Sequence, residues 1–139
     1  MPITVELIDL TGPLTEAMRR DARRVVRETA LRISDRATEK SARDSGAQAV
    51  SVYVVTSDAS TYDDALAAAQ AAYRTKHQQP FPALPEIAAP SDDLEALVAV
   101  AAEYGAVNEY ERTAFLTPAA EGERGRFEAD MERIGGRSS

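Results

Sequence analysis

The chain contains no cysteine, no tryptophan and a single histidine. Without cysteine there is no disulfide scaffold and no thiolate-based metal or redox centre, which fits a reducing compartment. His77 stands alone in Lys76-His77-Gln78-Gln79. A zinc site needs several nitrogen, sulfur or oxygen ligands at fixed spacing, and the serines lack a histidine placed for triad chemistry. Aromatic residues make up 6% of the chain, so the core must be aliphatic and alanine-rich. The seven glycines are scattered, which leaves no glycine-rich phosphate loop. No apolar run approaches the roughly 20 residues that a bilayer span needs. Residues 1–10 alternate and carry Glu6 and Asp9, unlike a secretory leader. These features predict a soluble protein made in the cytoplasm.

What is present suits one globular domain over 1–139. Hydrophobic residues are 44%, charged residues 28%, and 26 of the 139 residues are alanine, which leans the chain toward helix. The net charge of −7 is unevenly spread: −2 over 1–12, +4 over 13–43, −6 over 44–102 and −3 over 103–139. An acidic protein does not wrap nucleic acid over its whole surface, because affinity for DNA comes largely from neutralising phosphates. Only the 13–43 segment offers such contact.

Ile3, Val5 and Leu7 alternate with Thr4, Glu6 and Ile8 and predict a short strand. Thr11-Gly12-Pro13 then reads as a turn leading into a helix. From Leu14 to Arg43, Met18, Ala22, Val25, Thr29, Ile33 and Ala37 recur at spacings of three and four, the apolar stripe of one long helix. Arg20, Arg23, Arg24 and Arg27 fall on the opposite face. Ser45-Gly46 ends the helix. The β-branched run 49–56 predicts a strand. Ser60 with Asp63 resembles a capping box, opening a helix whose face is Tyr62, Leu66, Ala69 and Tyr73. Pro80, Pro82, Pro85 and Pro90 then break regular structure across 78–92, so 57–93 reads as a helix plus an extended arm. Leu94–Ala102 predicts a further strand, and 103–112 a short helix or turn around Gly105. Pro118 opens a last helix, 118–134, with Ala120, Phe127, Met131 and Ile134 inward, and 135–139 reads as a disordered tail. The order implies an α+β domain: a small antiparallel sheet packed on the long N-terminal helix, with a C-terminal helix and the inserted arm.

Little here points to chemistry. His77 reads as an exposed loop residue. Asp63-Asp64 and Asp92-Asp93 fit helix and turn capping, where negative charge meets the helix dipole, and no nucleophile or general acid accompanies them. The sequence therefore predicts no enzyme, no cofactor and no metal. The arginine face has two readings: a solvated face offset by Asp21, Glu28 and Asp35, or a contact surface for an acidic neighbour, for DNA or for another part of the chain. Phe81, Leu84 and Ile87 are apolar residues on a proline-rich arm and need a surface to cover them. A neighbouring subunit is the expected one.

The C-terminal half reads Glu103-Tyr104-Gly105-Ala106-Val107-Asn108-Glu109-Tyr110, then Ala114-Phe115-Leu116-Thr117-Pro118-Ala119-Ala120-Glu121. This resembles the paired signature of the head–tail joining or tail-completion (neck) proteins of long-tailed phages. Ser45-Gly46 stands where that family has its first glycine, and Val50–Thr56 matches the strand that follows. Tyr104 and Glu109 match a Tyr…Glu turn, and Phe115, Leu116, Pro118 and Ala119 match the motif that opens the last helix. Glu111 departs from the family's usual glycine, Thr113-Ala114 from its usual proline, and 57–93 is longer than its usual link. The resemblance covers about 14–56 and 95–134. It implies a non-catalytic virion component, made in the host cytoplasm and assembled into the neck as a closed, six-fold homo-oligomeric ring. Its implied partners are the connector or stopper on the head side and the tail proteins. A tail-terminator role is the nearest variant, and no membrane is involved. Phe115, Leu116 and Pro118 are expected to pin the last helix onto the sheet, and Tyr104 and Glu109 to face a neighbouring subunit. On charge, the genome passes without being specifically bound. The alternative is a small acidic α+β binding protein inside the cell, monomeric or dimeric.

Overall fold

The computed structural model describes residues 3–6, 15–40, 46–103 and 115–136. Its elements are β1 (Ile3–Glu6), α1 (Glu16–Lys40), α2 (Ala47–Val50), β2 (Val52–Thr56), α3 (Tyr62–Tyr73), β3 (Glu95–Val100) and α4 (Leu116–Gly136). The three strands form one antiparallel sheet in the order β1-β3-β2. Val98 is central, opposite Ile3 on one side and Val54 on the other. The α+β architecture is as the sequence predicts.

Alternation divides the sheet into two apolar faces. Ala96, Val98 and Val100 of β3, with Val52 and Val54 of β2, join the main core. Val26, Ala30, Ile33 and Ala37 of α1 cover them, together with Phe115, Leu116 and Ala119 around the start of α4. Ala99 of β3 and Tyr53 and Val55 of β2 point the other way, where Ala65, Tyr62 and Ile87 meet them. Each buried strand residue therefore has cover, and β2 is buried along its whole length. Towards the far end of the helix pair a third cluster closes, with Ala22, Val25, Leu94 and Ile134. The first half of α1 thus meets the last turns of α4, so the two helices run antiparallel.

The stripe predicted for α1 is buried from Ala22 to Ala37, and Val26 and Ala30 widen it. Phe115 and Leu116 are fully buried and Ala119 beside them likewise, as expected of residues that pin α4. Several boundaries differ from expectation, and β3 is shorter at both ends than the predicted Leu94–Ala102. The strand predicted from residue 49 begins at Val52, because Gly46 takes a left-handed φ of 85° and starts a single helical turn. That turn is locked by the buried Ser51, whose hydroxyl donates to the Gln48 carbonyl at 2.8 Å. The capping box at Ser60 is not made. Thr61 is the N-cap without a side-chain cap bond, because its hydroxyl accepts the Val54 N–H at 3.0 Å instead. The last helix starts at Leu116, with Pro118 inside its first turn, where no i−4 partner is lost. It runs through Gly136, so 135–136 belong to the helix and not to a tail.

The arm is the larger correction. It is docked on its own chain. Ala83 bridges Ala102, the Leu84 N–H donates to the Ala101 carbonyl at 2.7 Å, and the Glu103 N–H donates to the Pro82 carbonyl at 2.9 Å. Prolines 80, 82, 85 and 90 still exclude a regular strand, but the Leu84 N–H between them and the carbonyl of Pro82, which a proline keeps, supply the groups that pair. Phe81, expected at a subunit contact, is 7% exposed and part of the main core.

Candidate functional site

The basic residues of α1 divide by helical position. Arg19, Arg23 and Arg27 follow at i, i+4 along one flank. Asp93, just before β3, meets the first two. Its Oδ1 accepts from Arg19 Nη2 at 2.6 Å, and its Oδ2 accepts from Arg23 Nε at 2.9 Å. The Arg19 hydrogen bond is the main reason the Asp93 carboxyl titrates below the usual carboxylate range. Partial burial opposes it, and Arg23 adds to it. One and two turns further on, Asp58 Oδ1 accepts from the Thr56 hydroxyl at 3.0 Å and from Arg27 Nη2 at 2.9 Å. Its carboxyl is likewise lowered, first by Thr56 and then by Arg27. Arg23 and Arg27 therefore do not belong to a free basic face. They tie α1 to the one end of the sheet where β2 finishes and antiparallel β3 begins, while Arg20 and Arg24 stand exposed.

The opposite flank of α1 carries Arg32 and Arg36, which close on Glu123 of α4. Glu123 is 5% exposed. Its Oε1 accepts from Arg32 Nε at 2.7 Å, and its Oε2 lies 2.6 Å from Arg36 Nε. Burial pushes this carboxyl up, but the two guanidinium hydrogen bonds outweigh burial and hold it below the usual range. Arg32 also donates to Thr29 Oγ1 at 3.2 Å. Gly122 leaves room for this cluster: a Cβ there would lie 2.5 Å from Arg36 Nη1.

On the far face of the sheet two tyrosines hold the arm. The Tyr62 hydroxyl donates to the Leu84 carbonyl at 2.6 Å, and the Tyr53 hydroxyl accepts the Ile87 N–H at 3.1 Å. The rings stack edge-to-face with centroids 5.0 Å apart. Burial raises both phenols, and Glu86 nearby adds to this. Ile87 packs half-buried on their cluster and Leu84 is half-buried. Around Ile87, residues 55–60 and 86–89 line an open groove of about 600 Å³, with Thr56, Ser57, Asp58, Ser60 and Glu86 as its polar residues.

His77 stacks on Tyr73 at 4.2 Å, and Tyr73 meets Phe81 edge-on at 5.6 Å. The histidine is thus half-buried rather than freely exposed. Asp92 does cap the turn before Leu94, accepting its N–H at 2.9 Å. Tyr104 and Glu109 lie outside the described residues. Among the described residues no three His, Asp or Glu side chains gather as a metal site would require, and no helix is long and apolar enough to cross a membrane. Comparison with protein-family models, with curated proteins and with solved structures finds no match for this chain.

Sequence reasoning missed the acidic partners. Asp58, Asp93 and Glu123 sit 31, 70 and 91 residues from arginines they bind. Their only local signal was a surplus of basic charge over 13–43 matched by acidic charge elsewhere.

Proposed function

We propose that this chain is a structural component of the neck of a long-tailed phage virion, joining the head connector to the tail as a closed six-fold ring. The supporting observation is the ordered set of motif residues. Gly46 precedes β2, and Phe115, Leu116, Pro118 and Ala119 open α4. Phe115, Leu116 and Ala119 are buried and Gly46 takes a left-handed turn, structural roles such as a signature of a fold rather than of a catalytic site would have. A tail-terminator position in the same neck is the nearest variant. Cyclic rings close through head-to-tail contacts between unlike surfaces. Tyr104 and Glu109 are the family-motif candidates for that contact, with Arg20 and Arg24 as exposed basic residues of α1. The net charge of −7 supports a channel wall that lets DNA slide past without holding it.

One observation favours the alternative, a small acidic binding protein: the open groove between residues 55–60 and 86–89. Native mass spectrometry with negative-stain microscopy separates the two. Closed rings with a central channel support the neck reading. A species no larger than a dimer at every concentration supports the binding protein.

A further inference from the structure

The ridge of α1 that faces solvent has no role in the fold. Arg20, Arg24, Glu28, Leu31, Asp35 and Glu39 follow one another at spacings of three and four, and all are exposed. They lie diametrically opposite the buried stripe centred on Thr29 and Ile33. Leu31 is 52% exposed, the more exposed of two large hydrophobic residues that stand out among the described residues. The arginines on both flanks are engaged by Asp58, Asp93 and Glu123. On the ridge, the side chains of Arg20, Glu28, Asp35 and Glu39 make no ion pair or hydrogen bond with any described residue. Arg24 has only Asp21, at 4.0 Å on its own helix.

Charge on this ridge is segregated. The basic residues precede Leu31, and two of the three acidic ones follow it. We propose that the ridge docks a second copy of the chain, with the two α1 helices antiparallel about a two-fold axis near Glu28 and Leu31. In that arrangement Arg24 of each copy meets Asp35 of the other, because positions 24 and 35, like 28 and 31, are symmetric about one midpoint. The two Leu31 side chains flank the axis and lose their exposure. A parallel pair would set like charges side by side. An acidic protein or DNA would meet Asp35 and Glu39, so the mixed ridge fits its own copy better than either. The helix is about 37 Å long at about 1.5 Å per residue, so the contact is at the small end of specific interfaces and is concentration-dependent.

This contact does not rest on the neck reading. It is isologous, whereas a ring closes through heterologous surfaces, so it doubles whatever the chain otherwise forms. The test is mass by sedimentation equilibrium and native mass spectrometry, at concentrations up to about 0.5 mM to reach a weak association. Wild type should show twice the mass of the Leu31→Ser, Arg24→Asp and Asp35→Arg variants. Each charge reversal makes two attractive contacts repulsive and should weaken association about ten-fold or more. Far-ultraviolet circular dichroism should show α1 intact in all of them. The combined Arg24→Asp/Asp35→Arg variant should regain the doubled mass, and so should an equimolar mixture of the two single reversals. Equal masses for wild type and the single variants would overturn the proposal. So would a combined variant that stays at the single-variant mass. The subunit number of the Leu31→Ser and Asp35→Arg variants, at positions not assigned to the ring contact, tests the ring separately.

Discussion

Replacing Glu123 with alanine removes the one buried carboxylate that joins α1 to α4 and leaves two guanidinium groups facing each other across the gap. Removing one member of a fully buried ion pair costs about 3–5 kcal/mol, because the remaining charge stays desolvated. Here the penalty is smaller. Arg36 is 46% exposed and can turn to water, and Arg32 keeps Asp130 at 3.9 Å. The expected loss is about 2–3 kcal/mol. For a chain of this size that lowers the midpoint of thermal unfolding by about 6–9 °C. Urea unfolding followed at 222 nm measures it directly, with an unchanged slope showing that the two-state reference is kept. The pair should also be coupled: once Glu123 is gone, Arg32→Ala should cost far less than it does in the wild type. Glu123→Gln, which keeps shape and one acceptor, should fall between. A loss below about 0.5 kcal/mol for Glu123→Ala, the range of ordinary surface substitutions, would refute the reasoning. Strict additivity with Arg32→Ala would refute it too.

The acid side of the stability profile follows from the same carboxylates. Asp93 and Glu123 are held below their ordinary range in the folded chain. Their contribution is therefore complete above the unfolded-state range and disappears as pH falls from about 4 downward. Urea midpoints at neutral and acid pH should converge in the Glu123→Ala variant relative to wild type. Phe81→Ala should destabilise the monomer by about 3 kcal/mol through a core cavity, readable by denaturation without any assembly assay; normal monomer stability with impaired assembly would restore the arm to a subunit contact. Leu116→Ala should cost about 2–5 kcal/mol by the same mechanism. Gly46→Ala should cost about 1–2 kcal/mol, because φ is left-handed there although the space is open, while Gly122→Ala should be near neutral, since the flexible end of Arg36 can move and alanine favours the helix by about 1 kcal/mol.

Periodicity carried the architecture. The stripe of α1, the alternation of β2 and β3 and the inward face of α4 are all written in local spacing; on α4 Ile134 is buried and Ala120, Phe127 and Met131 pack half-buried against the core. Boundaries failed where tertiary hydrogen bonds competed with local ones. Ser51 and Gly46 turn 47–50 into helix although Val50 looks like the start of the strand, and Thr61 serves β2 rather than its own helix. The proline-rich arm misled for a related reason. Prolines at 80, 82, 85 and 90 exclude a regular strand, but nothing local says that the residues between them will pair with 101–103, or that Tyr53 and Tyr62 will hold Leu84 and Ile87. The ion pairs were illegible because charge complementarity has no sequence period. A group of five arginines over 19–27 looks like one basic face, yet a turn of about 100° per residue spreads it over a flank and a ridge with different fates.

The neck reading puts the gene in a phage or prophage genome, and its deletion there, followed by electron microscopy of the lysate, is the most direct measurement of the central claim. The neck reading predicts DNA-filled heads and separate tails, with infectious particles restored when the protein is supplied in trans. Intact, infectious virions at normal yield from the deletion would contradict it.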